Sequence, residues 1–512
     1  MPFLNSVISW FTTKRMYQIE LFKKFPIDVQ RDTLIELINS AKDTEYGKKY
    51  NFEKLLISKG QIFSNFIQNV PLVNYETFKE EIDKVRNGEN NVIWNTEIQW
   101  FAKSSGTTSD KSKFIPVTTE ILENCHFRGG KDILVINNFN FPENNFFKGR
   151  ALAIGGSQQI NSFENDIFYG DLSAVLMKNL PLWIDIIRVP NKSIALMEEW
   201  EEKIEKIAQS TINKNITNIS GVPSWTLVLL KRILEITGKS SIDQVWQNLE
   251  LFVHGGVSFI PYREQFNNII KNPNMQYMET YNASEGFFAI QDDLNSDDML
   301  LMLDYNIFYE FIPMDSFCET DSKTVLLDEV QIDKNYALVI TTSGGLWRYI
   351  IGDTVKFTSK YPFKIKITGR TKQFINAFGE ELIVDNAEKA LKIACERTNS
   401  EIREYTAAPI YMSETKNGCH QWLIEFSKPP QSVDYFADVL DTILKTLNSD
   451  YEAKRYKDIS LSPPQIIIAK KDLFYKWLKI NNKLGGQNKV PRLVNERKHI
   501  DQLLLLNSKS DV

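Results

Sequence analysis

Apolar runs that stop at glycine recur along this chain, with helix-patterned segments between them. GRALAIGGSQQI (149–160), LELFVHGG (249–256) and MQYMETYNASEG (275–286) each read as a buried strand running into a glycine loop. Between them, NKSIALMEEWEEKIEKIAQS (191–210) reads as one long helix. TNISGVPSWTLVLLKRILEITGK (217–239) carries a second, with Pro223 and Ser224 at its start and Gly238 at its end. Strands alternating with helices predict an α/β architecture with functional loops at strand ends.

The flanks differ in texture. Residues 1–60 read as helical, and RDTLIELINSAK (31–42) puts Leu34, Ile35, Leu37 and Ile38 on one face. TEIQWFAKSSGTTSDKSKFIPVT (96–118) reads as strand, Gly/Ser/Thr loop, strand, and a helix begins at Leu122. From about residue 295 the chain is β-rich until Gly369-Arg370. Beyond that, a helix (384–399), a strand (420–430), a helix (432–449) and a strand (464–471) predict a small α+β unit, with the boundary near 370–378.

Composition narrows the function. The chain is 43% hydrophobic and 24% charged, enough core material for a globular fold. Its net charge of −5 and the lack of a Lys/Arg stripe argue against a nucleic-acid partner. Cys125, Cys318, Cys395 and Cys419 are far apart and read as reduced thiols. His126, His254, His420 and His499 show no metal-ligand spacing, and His254 reads as structural. MPFLNSVISWFTTKR lacks a basic leader and reads as an amphipathic helix. No run of 18 apolar residues occurs, so we expect no membrane association and a cytoplasmic location. The sequence does not determine oligomeric state, and a monomer is the default expectation.

Three segments carry candidate chemistry. Ser104-Ser105-Gly106-Thr107-Thr108-Ser109, followed by Lys111 and Lys113, gathers hydroxyls and backbone N–H groups around one glycine. Such a loop can cradle a polyanion, although a solvated surface loop has the same composition. It is not a P-loop, which would need glycine at Lys111. Tyr281-Asn282-Ala283-Ser284-Glu285-Gly286 offers a ring to stack on a base and a carboxylate to hold Mg²⁺. A core tyrosine and a solvated glutamate would read the same way. Trp347-Arg348-Tyr349-Ile350-Ile351-Gly352-Asp353 and Thr368-Gly369-Arg370 offer an acid for ribose hydroxyls and a guanidinium for oxygens.

In this order the three segments resemble the adenylate-forming superfamily of acyl-CoA ligases, luciferase-like enzymes and nonribosomal adenylation domains. Within it the chain is most similar to the acyl-acid amido synthetases typified by plant auxin- and jasmonate-conjugating enzymes. The likeness rests on KSSGTTSDKSKFIPVT (103–118), YGDLSAVLMKNLPLW (169–183), SGVPSWTLVLLKR (220–232), YNASEG (281–286) and LWRYIIGDTVKF (346–357). It runs from AKDTEYGKKYNF (41–52) to GGQNKVPRL (485–493).

The resemblance implies an α/β adenylate-forming domain at 1–372, with parallel or mixed sheets, flanking helices and a β-rich subdomain. A small mobile α+β domain at 373–512 would pivot near 370–378. Ser104, Ser105, Thr108 and Lys113 match the phosphate loop. Tyr281, Ser284, Glu285 and Gly286 match the adenine and Mg²⁺ motif, with Glu285 as metal ligand, and Asp353 matches the ribose acid. Arg370 and Lys489, the mobile lysine, complete the catalytic set with Glu285, and Lys483 is the reserve for Lys489. Asp110 departs from the glycine many relatives carry, and an acid there opposes ATP unless it pairs with Lys111 or Lys113.

The implied cofactors are ATP and Mg²⁺, and the implied substrates a small carboxylic acid and an amine, in this family an amino acid. We place the acyl pocket among Asn124, Arg128, Gly155, Gly156, Val222 and Trp225, residue types equally at home in helix packing. Two rival readings remain at this point: an acyl-CoA ligase forming a thioester, and a nucleotide-binding protein with degraded catalysis.

Overall fold

The computed structural model describes the chain except residues 1, 58–59, 105–112, 156–160, 164–165, 198, 257–258, 261, 318–321, 372–373, 376, 378–379, 381, 411–417, 449–450, 453–454, 456–460, 485–488, 495 and 509–512. Two compact units emerge. The first comprises 1–257, 267–351 and 355–366; the second comprises 258–266, 352–354 and 367–512.

In the first unit, helices Pro2–Lys24, Pro26–Ala41, Glu45–Lys49 and Phe52–Ile57 form the expected helical start. Leu34, Leu37 and Ile38 face the core, because the 3.6-residue period puts them on one stripe. Strands β1 (Trp100–Ser104) and β2 (Lys113–Val117) pair antiparallel on either side of residues 105–112, with Ser104 opposite Lys113. With β4 (Asn161–Ser162) and β5 (Phe168–Gly170) they form a sheet ordered β2-β1-β5-β4.

The largest sheet contains β3 (Arg150–Ala153), β6 (Arg188–Val189), β7 (Ile216–Gly221), β8 (Leu251–Gly255) and β9 (Gln276–Ala283). It continues through β10 (Gly286–Ile290), β11 (Met299–Leu301), β12 (Ile307–Pro313) and β13 (Asn335–Thr342). Strands β14 (Tyr349–Lys360) and β15 (Phe363–Arg370) complete eleven, ordered β12-β13-β14-β15-β11-β10-β9-β8-β7-β3-β6. From β6 to β9 neighbouring strands are parallel, and from β9 to β11 they are antiparallel. Trp347 is fully buried against Tyr46, Phe52 and Trp94 and donates its indole N–H to Ile93 O, tying the helical start to this sheet.

Two elements depart from expectation. The segment 191–210 forms two helices, Lys192–Ala195 and Trp200–Thr211, because Asn191 and Glu199 each cap a separate start. The helix expected from Leu122 contains a widened π turn at Leu122–His126 before Phe127–Asn140.

The second unit contains β16 (Phe374–Ile375), β17 (Leu382–Ile383), β18 (Glu401–Ile410), β19 (Cys419–Lys428) and β20 (Gln465–Ile468). Helices Val384–Thr398 and Val433–Leu447 share a core with the β18-β19-β20 sheet around Trp422, Ile424 and Phe436. Among the described residues, no helix is long and apolar enough to cross a membrane.

Candidate active site

Parallel strands present their carboxyl ends along one edge, and here β7 and β8 end in glycine while β3 reaches Gly155 two residues past its last paired residue. The registers place Ala153 opposite Ser220, Gly221 opposite His254 and Gly255 opposite Thr280. The edge therefore runs from Gly155 through Gly221 and Val222 to Gly255 and the Thr280-Tyr281 step. Crowding meets a Cβ at each glycine, from backbone at Gly255 and from side chains at Gly221 and Gly155. A Cβ on Gly255 would lie 2.4 Å from Thr280 O, and one on Gly221 would lie 2.9 Å from Thr226 Oγ1. On Gly155 it would meet Met177 Cε at 2.1 Å. Carboxyl edges of open α/β sheets are where such folds bind ligands.

Val222 and Trp225 belong to the helix Pro223–Thr237 that leaves this edge, Val222 as its N-cap and Trp225 buried in its first turn. Tyr281 is buried with its ring against Phe288, 4.8 Å between centroids. Ser284 and Glu285 form the two-residue turn to β10, closed by the Ala283–Gly286 pair, and Glu285 is buried. The registers thus bring Gly155, Val222, Trp225 and the Tyr281–Gly286 hairpin to neighbouring strands.

Asn124 and Arg128 come from a different element, the π turn and the helix after it, and Phe287 N donates to Cys125 Sγ at 3.1 Å, which sets that turn against β10. Asn124 lies half-buried in the π turn. Arg128 donates to Asp304 O and Oδ2, both at 2.8 Å, and Asp304 also binds Arg15. Its guanidinium is thus engaged in a structural ion-pair network. Lys113 extends its ammonium over the Tyr75 ring, and the Tyr75 hydroxyl accepts from Phe114 N at 3.0 Å. Ser105, Thr108, Asp110, Lys111 and Gly156 lie outside the described residues, as does the side chain of Ser104.

The second unit gathers Asp353, Arg370 and Lys489. Arg370, the last residue of β15, donates Nε–H to Asp353 Oδ1 at 2.7 Å. Thr371 N bonds Gly352 O at 2.8 Å, and Gly352, at φ 91°, occupies a conformation that favours glycine. The Lys489 segment is held against β18: Thr406 Oγ1 donates to Pro491 O at 2.6 Å and Ala407 N to Arg492 O at 2.8 Å. Arg492 also pairs with Glu404. Surrounding protein and the Arg370 charge push the Lys489 ammonium down to about 8, while Asp353 pulls it back up. The side chain is at once crowded and exposed to water, so part of its hydration survives and no stability is assigned to the shift.

Known proteins match most of this chain. The GH3 family N-terminal domain matches residues 15–275, its central domain 300–370 and its C-terminal domain 385–498. The chain belongs to the GH3 family. Indole-3-acetic acid-amido synthetase GH3.3 of Arabidopsis thaliana is 23% identical to this GH3 chain, over 91% of it and 89% of that protein. The 4-substituted benzoates-glutamate ligase GH3.12 of the same plant is 24% identical, over 93% and 94%. Among solved structures, the GH3.15 acyl acid amido synthetase superposes at TM-score 0.76 with 18% identity, covering 94% of each chain. A 2-hydroxyisobutyryl-CoA ligase in its postadenylation state gives TM-score 0.58 at 11% identity, over 94% and 92%. These structures show that this GH3 chain shares their α/β fold.

Sequence reading missed two groups near the strand edge. Lys203 is fully buried on the helix Trp200–Thr211, and Asp171 is buried as N-cap of the helix Leu172–Asn179. YGDL contained the acid, but nothing in the sequence distinguished Lys203 from the solvated charges around it.

Proposed function

We propose that this chain activates a small carboxylic acid with ATP as its acyl-adenylate and transfers the acyl group to an amine, the α-amino group of an amino acid. The acid's oxygen attacks the α-phosphorus and pyrophosphate leaves; the amine nitrogen then attacks the acyl carbon, AMP leaves and the nitrogen loses a proton. The observation that carries this reading is the single sheet edge on which Gly155, Gly221, Val222 and Gly255 adjoin Tyr281 and its hairpin. An acid and a nucleotide that must react need adjacent berths, and positioning is a large part of such catalysis. Membership of a family whose characterised members are amide synthetases supports the same reading.

In this reading Ser104, Ser105, Thr108 and Lys113 bind phosphates, and Tyr281, Ser284 and Gly286 flank the base. Asp353 accepts from ribose hydroxyls, and Arg370 and Lys489 offset charge that develops on phosphate. Glu285 would hold Mg²⁺, since its buried carboxylate at the hairpin turn is a hard oxygen donor of the kind this ion takes. When bound, Mg²⁺ supplies charge neutralisation to the phosphates. The functional division falls at 372/373, with 373–512 bearing the mobile lysine.

The test is carboxylate-dependent exchange of pyrophosphate into ATP across a carboxylic-acid panel, followed by mass spectrometry with pooled amino acids. Amide products are expected. Thioester with coenzyme A and no amide would identify an acyl-CoA ligase, and ATP binding without exchange a degraded enzyme. K489A should lower exchange by about 10²-fold or more while ATP binding survives; unchanged exchange would remove Lys489 from its role.

A further inference from the structure

Lys203 occupies a position that opposes a positive charge in two ways. Its side chain is fully buried, so the ammonium has lost most of its hydration. It also lies in the first turn of the helix Trp200–Thr211, where the helix dipole repels a cation. Burial pushes its pKa down to about 8, opposed by the Asp171 carboxylate. A methionine would fill similar space without these costs, and apolar replacement of buried ions is often neutral or stabilising. Packing alone therefore does not account for a lysine here.

Its contacts lead to the strand edge. Lys203 Nζ donates to Gly155 O at 3.3 Å, where the chain leaves β3. On its other side, Gly155 is packed against the helix Leu172–Asn179, with Met177 and Ser173 nearest to where a Cβ would sit. Asp171 caps that helix, accepting from Ala174 N and from Ser173 Oγ, both at 2.7 Å. Ile154, one residue before Gly155, donates its N–H to Ser220 O at 2.9 Å and so sets β3 against β7. Lys203 from one helix, and Ser173 and Met177 from the helix that Asp171 caps, thus flank the carboxyl end of β3.

We propose that Lys203 is a positioning residue for the acyl acid: by holding the Gly155 carbonyl, with Asp171 as its counter-charge, it fixes the edge of the acyl pocket. The inference rests on the acyl-transfer reading above. Lys203 touches neither nucleotide nor reacting atoms in this account, so its removal affects acid binding selectively.

The experiment compares wild type, K203M and K203R in pyrophosphate exchange, varying acid at saturating ATP and ATP at saturating acid. K203M should raise the KM for acid about tenfold, with the KM for ATP within about twofold and K203R recovering most of the loss. D171N keeps an oxygen for Ala174 N and should shift the acid KM in the same direction, by less. In parallel, hydrogen exchange of the ligand-free proteins should show the Ile154 amide exchanging about tenfold faster in K203M, with Val253 unchanged. Both KM values rising together with a fall in Tm, or an unchanged acid KM, would overturn the proposal. If no acid supports exchange in wild type, the acyl-transfer reading fails, and Ile154 protection alone decides whether Lys203 holds this edge.

Discussion

Arg370 and Asp353 are joined by a 2.7 Å hydrogen bond from Nε to Oδ1, and both charges act on Lys489. Desolvation lowers the Lys489 pKa most, Arg370 lowers it further and Asp353 raises it, to about 8. The charged fraction of this lysine therefore falls as pH rises through 8, well below the range of ordinary lysines. Competitive labelling with acetic anhydride, read peptide by peptide against pH, should give Lys489 a midpoint below those of surface lysines. R370Q should move that midpoint up and D353N should move it down. A midpoint indifferent to both changes would show that the pair does not govern Lys489.

His126 gives a stability prediction with the opposite pH sense to a salt-bridged histidine. It is buried in the π turn, and neither ring nitrogen has a hydrogen-bond partner among the described residues. Burial lowers its pKa from 6.5 to about 4. As pH falls from 6.5 towards 4, the unfolded chain takes up a proton that the folded chain refuses, so stability is lost in that window. The contribution is about 2 kcal/mol between pH 7.5 and pH 5. Urea midpoints at those two pH values should converge for H126L relative to wild type. Equal pH sensitivity in both proteins would contradict a buried neutral imidazole.

Local rules made parts of this structure legible before any coordinates. Pro223 and Gly238 bracketed a helix because the first position tolerates proline and the last takes φ +65°. The 96–118 and 275–286 segments showed β1, β2 and β9 through apolar runs ended by small residues. Strand β18 was not legible: Ala407, Ala408 and Pro409 weaken the β signal, and its place depends on pairing with β19. Lys203 was hidden for a similar reason. Among Glu199, Glu201, Glu202 and Lys206 it has the spacing of a solvated helix face, and only tertiary packing makes it the buried member. The π turn likewise leaves no trace in hydrophobic period.

Arg348 tests how the LWRYIIGD segment is anchored in the first unit. Its backbone sits at φ +44°, a conformation L residues rarely adopt, and its side chain is buried. The guanidinium bonds Glu310 through Nε and Nη2 at 2.9 and 2.7 Å, and Nη1 donates to Ile67 O and Val70 O at 2.8 and 2.7 Å. Lysine cannot reproduce this planar set of donors. R348K should therefore cost about 3 kcal/mol, close to the loss on breaking a buried pair. Chemical denaturation reads this directly, and a loss under about 1 kcal/mol, the worth of a surface pair, would show that the fork is dispensable.

Gly255 links fold to function most directly. It ends β8 in register with Thr280, whose hydroxyl donates to His254 O at 3.2 Å. A Cβ added here would approach Thr280 O to 2.4 Å, and that atom is backbone, so relief requires moving one strand against the other. Overpacking of this kind costs about 1–3 kcal/mol. Thr280 immediately precedes Tyr281, so the displacement passes into the hairpin that carries Ser284 and Glu285. G255A should lose more pyrophosphate exchange than its fall in Tm explains, by about tenfold at a temperature where the variant remains folded. Wild-type exchange in folded G255A would mean that the β8–β9 spacing does not set the nucleotide side of the edge.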